Sequence, residues 1–114
     1  MVVAPIGCVT EDDAIELTGQ AIARLQETQA TRVLGDCRGV QSGPSVAALY
    51  WLVQGYANRG LPQATRIAVV HTDAPQAAEV ARFYETVCLN RRYQARVFPN
   101  KEAAEAWLWS SQSS

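Results

Sequence analysis

Arg66-Ile67-Ala68-Val69-Val70-His71 carries four apolar side chains in succession between an arginine and a histidine. A strand with one face in water alternates apolar and polar residues. An unbroken apolar run of this length fits a strand buried on both faces, inside a parallel sheet covered by helices on either side. Downstream, Thr72 and Asp73 are candidate caps of a helix that runs to Leu89, with Ala77, Val80, Ala81, Tyr84, Val87 and Cys88 as its core stripe. Tyr93 to Phe98 reads as a further strand, broken by Pro99. Asn100 then caps a final helix over 101–109 that buries Ala104, Trp107 and Leu108.

Upstream the same alternation holds. Residues 2–9 read as a short strand or strand remnant, with Pro5 and Gly7 favouring an edge position. Thr10 followed by Glu11, Asp12 and Asp13 is a helix start, with carboxylates at the positive end of the helix dipole and a capping box between Thr10 and Asp13. That helix runs over 11–28 on a stripe of Ile15, Thr18, Ile22 and Leu25. Arg32 to Arg38 is a strand that passes into the ordered loop Gly39–Pro44. The next helix, 44–59, places Val46, Leu49, Tyr50, Val53 and Tyr56 on one stripe, with Trp51 and Leu52 on other faces, and Gly60 ends it. The order strand-helix, four times over, predicts an α/β fold: a mostly parallel sheet of about four strands with four alternating helices and a short or missing N-terminal strand. One domain spans 1–114, with 110–114 as a polar flexible tail.

Composition narrows the function. The chain has 114 residues, 48% of them hydrophobic, and a net charge of −1 from 10 basic and 11 acidic residues. That balance argues against nucleic-acid binding, where phosphate contacts call for a basic excess. Cys8, Cys37 and Cys88 are odd in number and widely spaced, and His71 is the single histidine, so neither a metal site nor a disulfide framework is expected. No run approaches the ~20 apolar residues of a membrane span. The N-terminus lacks the pattern of a signal peptide. A cytoplasmic protein without cofactor is the expectation.

Four stretches taken together, Gly7–Leu17, Val33–Val40, Arg66–Asp73 with Arg82–Arg92, and Val97–Leu108, resemble the SpoIIAA-like (STAS-type) superfamily, more closely its small bacterial STAS/SEC14-like branch. Asp36-Cys37-Arg38-Gly39-Val40 matches that branch's strand ending, and Val97-Phe98, Ala103-Ala104 and Trp107-Leu108 match its terminal pattern. The resemblance implies a non-enzymatic binding or regulatory domain. Members usually open with a further strand or hairpin, so the sheet edge here is expected to be short or completed by a partner. Anti-sigma-factor antagonists of the superfamily carry a serine switch, and Ser45 falls at that position. Pro44 and Ala47 replace the flanking aspartate and glycine, which counts against a kinase-controlled switch.

Ligands of parallel sheets sit beyond the carboxyl ends of the strands. That face is expected to gather Asp36, Arg38, Ser42, Ser45, His71, Asp73 and Asn100. Asp36, Ser45 and His71 can be set out as a small hydrolase's triad, but no Gly-x-Ser-x-Gly elbow accompanies them. Ser45 and Ser42 also serve as plain helix caps. Trp51, Leu52 and Tyr56 belong to a helix apolar nearly all round and are the candidate interface, which Phe83 and Trp109 would extend. The reading is a binding domain that forms a homodimer and meets a regulatory protein or a small apolar ligand.

Overall fold

The computed structural model describes residues 1–110. Its elements are β1 (Val2–Val3), β2 (Gly7–Cys8), α1 (Glu11–Thr28), β3 (Arg32–Asp36), β4 (Val40–Ser42), α2 (Val46–Gln54), β5 (Arg66–Val70), α3 (Pro75–Asn90), β6 (Gln94–Phe98) and α4 (Lys101–Leu108). Strands β1-β3-β5-β6 form one sheet in that order, every pairing parallel. The expected α/β architecture is present, with β5 interior and the N-terminal β1 reduced to 2 residues at one edge.

Strand alternation sorts the core into two faces. Ile67 and Ala95 point to one side, where they meet Ile22 and Leu25 of α1, Val53 of α2, Val87 and Cys88 of α3, and Tyr93. Leu34, Ala68 and Val70 point to the other, against Ala104 and Leu108 of α4, with Phe98 and Trp107 packed alongside. Three helices thus cover one face and α4 alone the other. Arg32 and Arg66 are register partners at the start of β3 and β5, and they share the parity of Leu34 and Ala68. Both therefore reach the last turn of α4. Arg32 Nε donates to the Leu108 carbonyl at 2.7 Å, and an Arg66 Nη1 donates to those of Trp107 at 3.1 Å and Ser110 at 2.9 Å. Cations at a helix C-terminus satisfy carbonyls that the helix itself leaves open. Trp109 lies under the Arg32 guanidinium and Trp107 under that of Arg66. Ser110, read as part of the tail, is thereby anchored; 111–114 lie outside the described residues.

The α1 start is as expected: Asp13 N donates to Thr10 Oγ1 at 3.1 Å and Thr10 N to Asp13 Oδ2 at 3.0 Å. Four details differ from the sequence reading. Residues 2–9 are two strands, not one, and the 39–44 loop contains β4, which pairs with β2 in a separate parallel ladder. The α3 cap is Ala74, with no side-chain bond, and Pro75 at the first turn replaces it; Thr72 Oγ1 only accepts from Ala74 N at 3.4 Å. Ile15 and Val80, read as core, are 45% and 38% exposed. Finally, α2 stops at Gln54. Beyond it the chain tightens: Tyr56 N bonds Val53 O, Arg59 N bonds Tyr56 O and Gly60 N bonds Ala57 O. Three-residue turns advance the side chains by about 120° rather than 100° each. Gly60 closes the segment at φ 89, where a side chain would also strike Gln26.

Leu34 is 2% exposed between β5 and α4. Leu34→Ala is expected to cost about 2–5 kcal/mol in urea unfolding, since the cavity opens on the face covered by a single helix.

Candidate functional site

The carboxyl ends of the strands do bring part of the expected set to one edge. Asp36, Val70 and Phe98 are register partners, so Asp36 ends β3 beside the residue that precedes His71, with Pro99 and Asn100 following on β6. His71 N donates to Phe98 O at 3.0 Å, holding the strand ends together. Most of the polar groups here are engaged by their own neighbours. Arg38 Nε and Nη2 donate to the two Asp36 oxygens at 2.9 and 2.8 Å, and Arg38 N donates to Oδ1 at 3.2 Å. The Arg38 side-chain bonds hold the Asp36 carboxyl down to about 2, against the opposing pull of burial. Lys101 of α4 lowers it further. His71 Nδ1 lies 2.8 Å from the Thr72 carbonyl. Asn100 caps α4, its Oδ1 accepting from Ala103 N at 2.8 Å. Asp73 is exposed.

The two serines sit elsewhere in the local scheme. Ser42 is exposed in β4, opposite Cys8, and its carbonyl accepts from Val9 N at 2.8 Å. Ser45 caps α2: its Oγ accepts from Ala48 N at 3.1 Å and donates to Glu11 Oε1 at 3.4 Å. Among the described residues no hydrogen bond joins Asp36, Ser45 and His71. A phosphate on Ser45 would gain the α2 amides but would face the Glu11 carboxylate.

Two of the cysteines, Cys37 and Cys88, offer little reactivity. Burial pushes the Cys88 thiol up to about 12 and also raises that of Cys37. Thiols held protonated near neutral pH are poor nucleophiles. Among the described residues no group of three or more His, Cys, Asp or Glu is placed to hold a metal ion, and no helix is long and apolar enough to cross a membrane.

The candidate interface divides. Trp51 is 70% exposed, and Tyr50 packs edge-on against it with ring centroids 5.3 Å apart. Leu52 is half-buried. Tyr56 is corrected to the interior: it is 5% exposed, shares a 2.6 Å hydrogen bond with Tyr84 Oη and meets Tyr93 edge to face. Burial, chiefly, raises the pKa of both Tyr56 and Tyr84 above the usual phenol range, so the pair is neutral. Tyr56 follows Val53 by three residues and shares its core cluster, so the α2 stripe itself faces inward here. Phe83 packs against the core, and Trp109 lies by α4 on the opposite side of the sheet, so neither extends the Trp51 surface.

What Trp51 does border is a groove of about 220 Å³ between α1 and α2, lined also by Glu11, Ile15, Ala48, Leu52 and Arg59. Glu11, Ile15 and Arg59 are not among the candidate site or interface residues that the sequence offers. The exposed Ile15 was the available signal, but an isoleucine on a helical stripe reads as core. The groove depends on two helices lying side by side, which periodicity within one helix does not express.

The sequence model of the family described as SpoIIAA-like matches residues 1–111. The chain belongs to the SpoIIAA-like family. The crystal structure of an uncharacterised protein with a SpoIIAA-like fold from Shewanella loihica PV-4 is similar, with a TM-score of 0.61 and 19% identity, covering 94% of this chain and 82% of that one. At that identity the likeness speaks for the SpoIIAA-like fold alone. A search of curated proteins finds no match.

Two expected outcomes test the local chemistry. A carboxyl whose folded pKa lies below its ordinary 3.8 contributes stability in full above that value and loses it as pH falls through about 2. Asp36→Asn should therefore be less stable than wild type near neutral pH, with the gap narrowing as pH drops from about 4 toward 2 in urea titrations. Ser45→Ala should lose about 1 kcal/mol from the missing α2 cap, read by thermal unfolding.

Proposed function

We propose that this SpoIIAA-like chain is a single non-enzymatic binding domain with a regulatory role, and that it works as a homodimer assembled on the α1–α2 face. The observation that carries the reading is Trp51, a large aromatic side chain left 70% exposed beside a groove. Tyr50 at 42%, Val46 at 46% and Ile15 at 45% exposed add apolar surface on the same two helices. Exposed aromatics at a concave apolar surface are the usual anchors of protein interfaces. The groove's volume of about 220 Å³ lies below the ~300–1,000 Å³ of ordinary small-molecule sites. That favours a protein partner over an enclosed apolar ligand.

The bonding of Asp36 and Ser45 supports the non-enzymatic half of the reading. Asp36 is committed to Arg38, and Ser45 to the α2 amides and Glu11. A general base or nucleophile needs a lone pair directed at a substrate and a partner that orients it.

Wild type is expected to run as a dimer in native mass spectrometry and light scattering at micromolar concentration. Trp51→Ala should raise the dimer dissociation constant roughly thirtyfold or more, about 2 kcal/mol for loss of an aromatic anchor, with circular dichroism unchanged. His71→Ala should leave the mass unchanged. A wild-type monomer, or a Trp51→Ala protein that dimerises as tightly as wild type, would overturn the assignment of this face.

A further inference from the structure

Helices α1 and α2 run side by side in the same direction. The start of α1 meets the start of α2, where Ser45 Oγ donates to Glu11 at 3.4 Å. About two turns later, the Arg59 guanidinium lies close to Gly19, 3.5 Å from where a β-carbon there would stand. Further on, Gln26 Nε2 donates to the carbonyls of Arg59 and Gly60 at 3.4 and 3.2 Å. The groove therefore has a direction. Glu11 stands at one end, next to Asp12 and Asp13 in the exposed first turn of α1, and Arg59 stands at the other. From residue 11 to residue 19 the helix advances about 12 Å. Trp51 lies between these ends, one helical turn from both Ala48 and Gly55 on the groove wall.

An interface between identical subunits related by a two-fold axis presents the same patch twice, so it must complement itself. A groove that is acidic at one end and basic at the other does so in one orientation. If the helices of the two subunits run parallel, Glu11 meets Glu11 and Arg59 meets Arg59. If they run antiparallel, each charge meets its opposite, and Trp51, near the midpoint, falls beside the axis against its own copy.

Resting on the homodimer reading above, we infer that the occupant of the groove is a second copy of this chain, docked antiparallel across α1 and α2 with Glu11 of each subunit facing Arg59 of the other. The aromatic surface around Trp51 supplies the desolvated centre, and the two symmetry-related charge pairs at the rim set the orientation. Rim pairs of this kind weaken as salt screens them.

Charge reversal separates this arrangement from its rivals. In the antiparallel dimer Glu11→Lys and Arg59→Glu, each alone, turn two attractions into two repulsions. Each should weaken self-association on the order of tenfold or more at low salt. The double variant Glu11→Lys/Arg59→Glu reverses both ends, and should dimerise within about threefold of wild type. Recovery in the double variant also excludes misfolding as the cause of the single-variant losses. In a parallel dimer the single reversals leave like facing like, and the double variant gains nothing over them. Sedimentation equilibrium on the four proteins, at low and high salt, reads the result. Recovery in the double variant supports the antiparallel docking. A wild-type dimer that is broken by Trp51→Ala but indifferent to both single reversals, or unrescued in the double variant, overturns the docking and keeps the homodimer. A wild-type monomer overturns both.

Discussion

Everything in this molecule is arranged around a central strand that has no wet face. In β5, Ile67, Ala68 and Val70 are buried, and Val69 packs into the core alternately with them. A strand of this kind needs pairing on both edges and cover on both faces. β3 and β6 supply the edges. The cover is unequal: α1, α2 and α3 share one face, while α4, with 8 residues, covers the other. An isolated helix of that length has no stability of its own in water. It is fixed at one end by the Asn100 cap and at the other by Arg32 and Arg66, which rise from the starts of the strands it crosses. The sheet thus holds the helix that completes its own core.

The parts legible in the sequence are those in which one residue's neighbours along the chain decide its state. The apolar run of β5, the Thr10 capping box and the Asn100 cap all rest on contacts a few residues apart, and all are found. The parts missed depend on the third dimension. The β2–β4 ladder has 2 residues in one strand and 3 in the other, too few for a pattern, and exists because Gly7 and Val40 are brought together across the α1 crossover. Tyr56 shares the α2 stripe with Val53, and that this stripe faces inward is decided by Tyr84 and Tyr93, which pack against it from elsewhere in the chain. The placement of Asp36, His71 and Asn100 at the strand ends is also legible. What the sequence does not express is how far those residues are already committed to one another.

That commitment redirects attention from the strand ends to the helical layer. At the strand ends, carboxylate meets guanidinium and helix caps meet amides, so little polar capacity points outward. On α1 and α2 the balance is reversed: the polar ends of the groove frame apolar and aromatic side chains for which the fold supplies no cover. A small protein leaves much apolar area in water as a matter of geometry. A tryptophan exposed beside a groove is a more specific observation than scattered aliphatic residues.

The shared direction of α1 and α2 has an electrical consequence. Two helices laid side by side in parallel have aligned dipoles, which repel, and both positive poles fall at the same corner of the molecule. Glu11 occupies that corner. It is the first residue of α1 and it accepts from the serine that caps α2, so one carboxylate serves both poles. At the opposite corner the negative poles of the two helices converge on the segment that carries Arg59. The helix ends and the side chains are thus opposed in sign at each corner, so the charged groups offset the dipoles that the parallel helices add together.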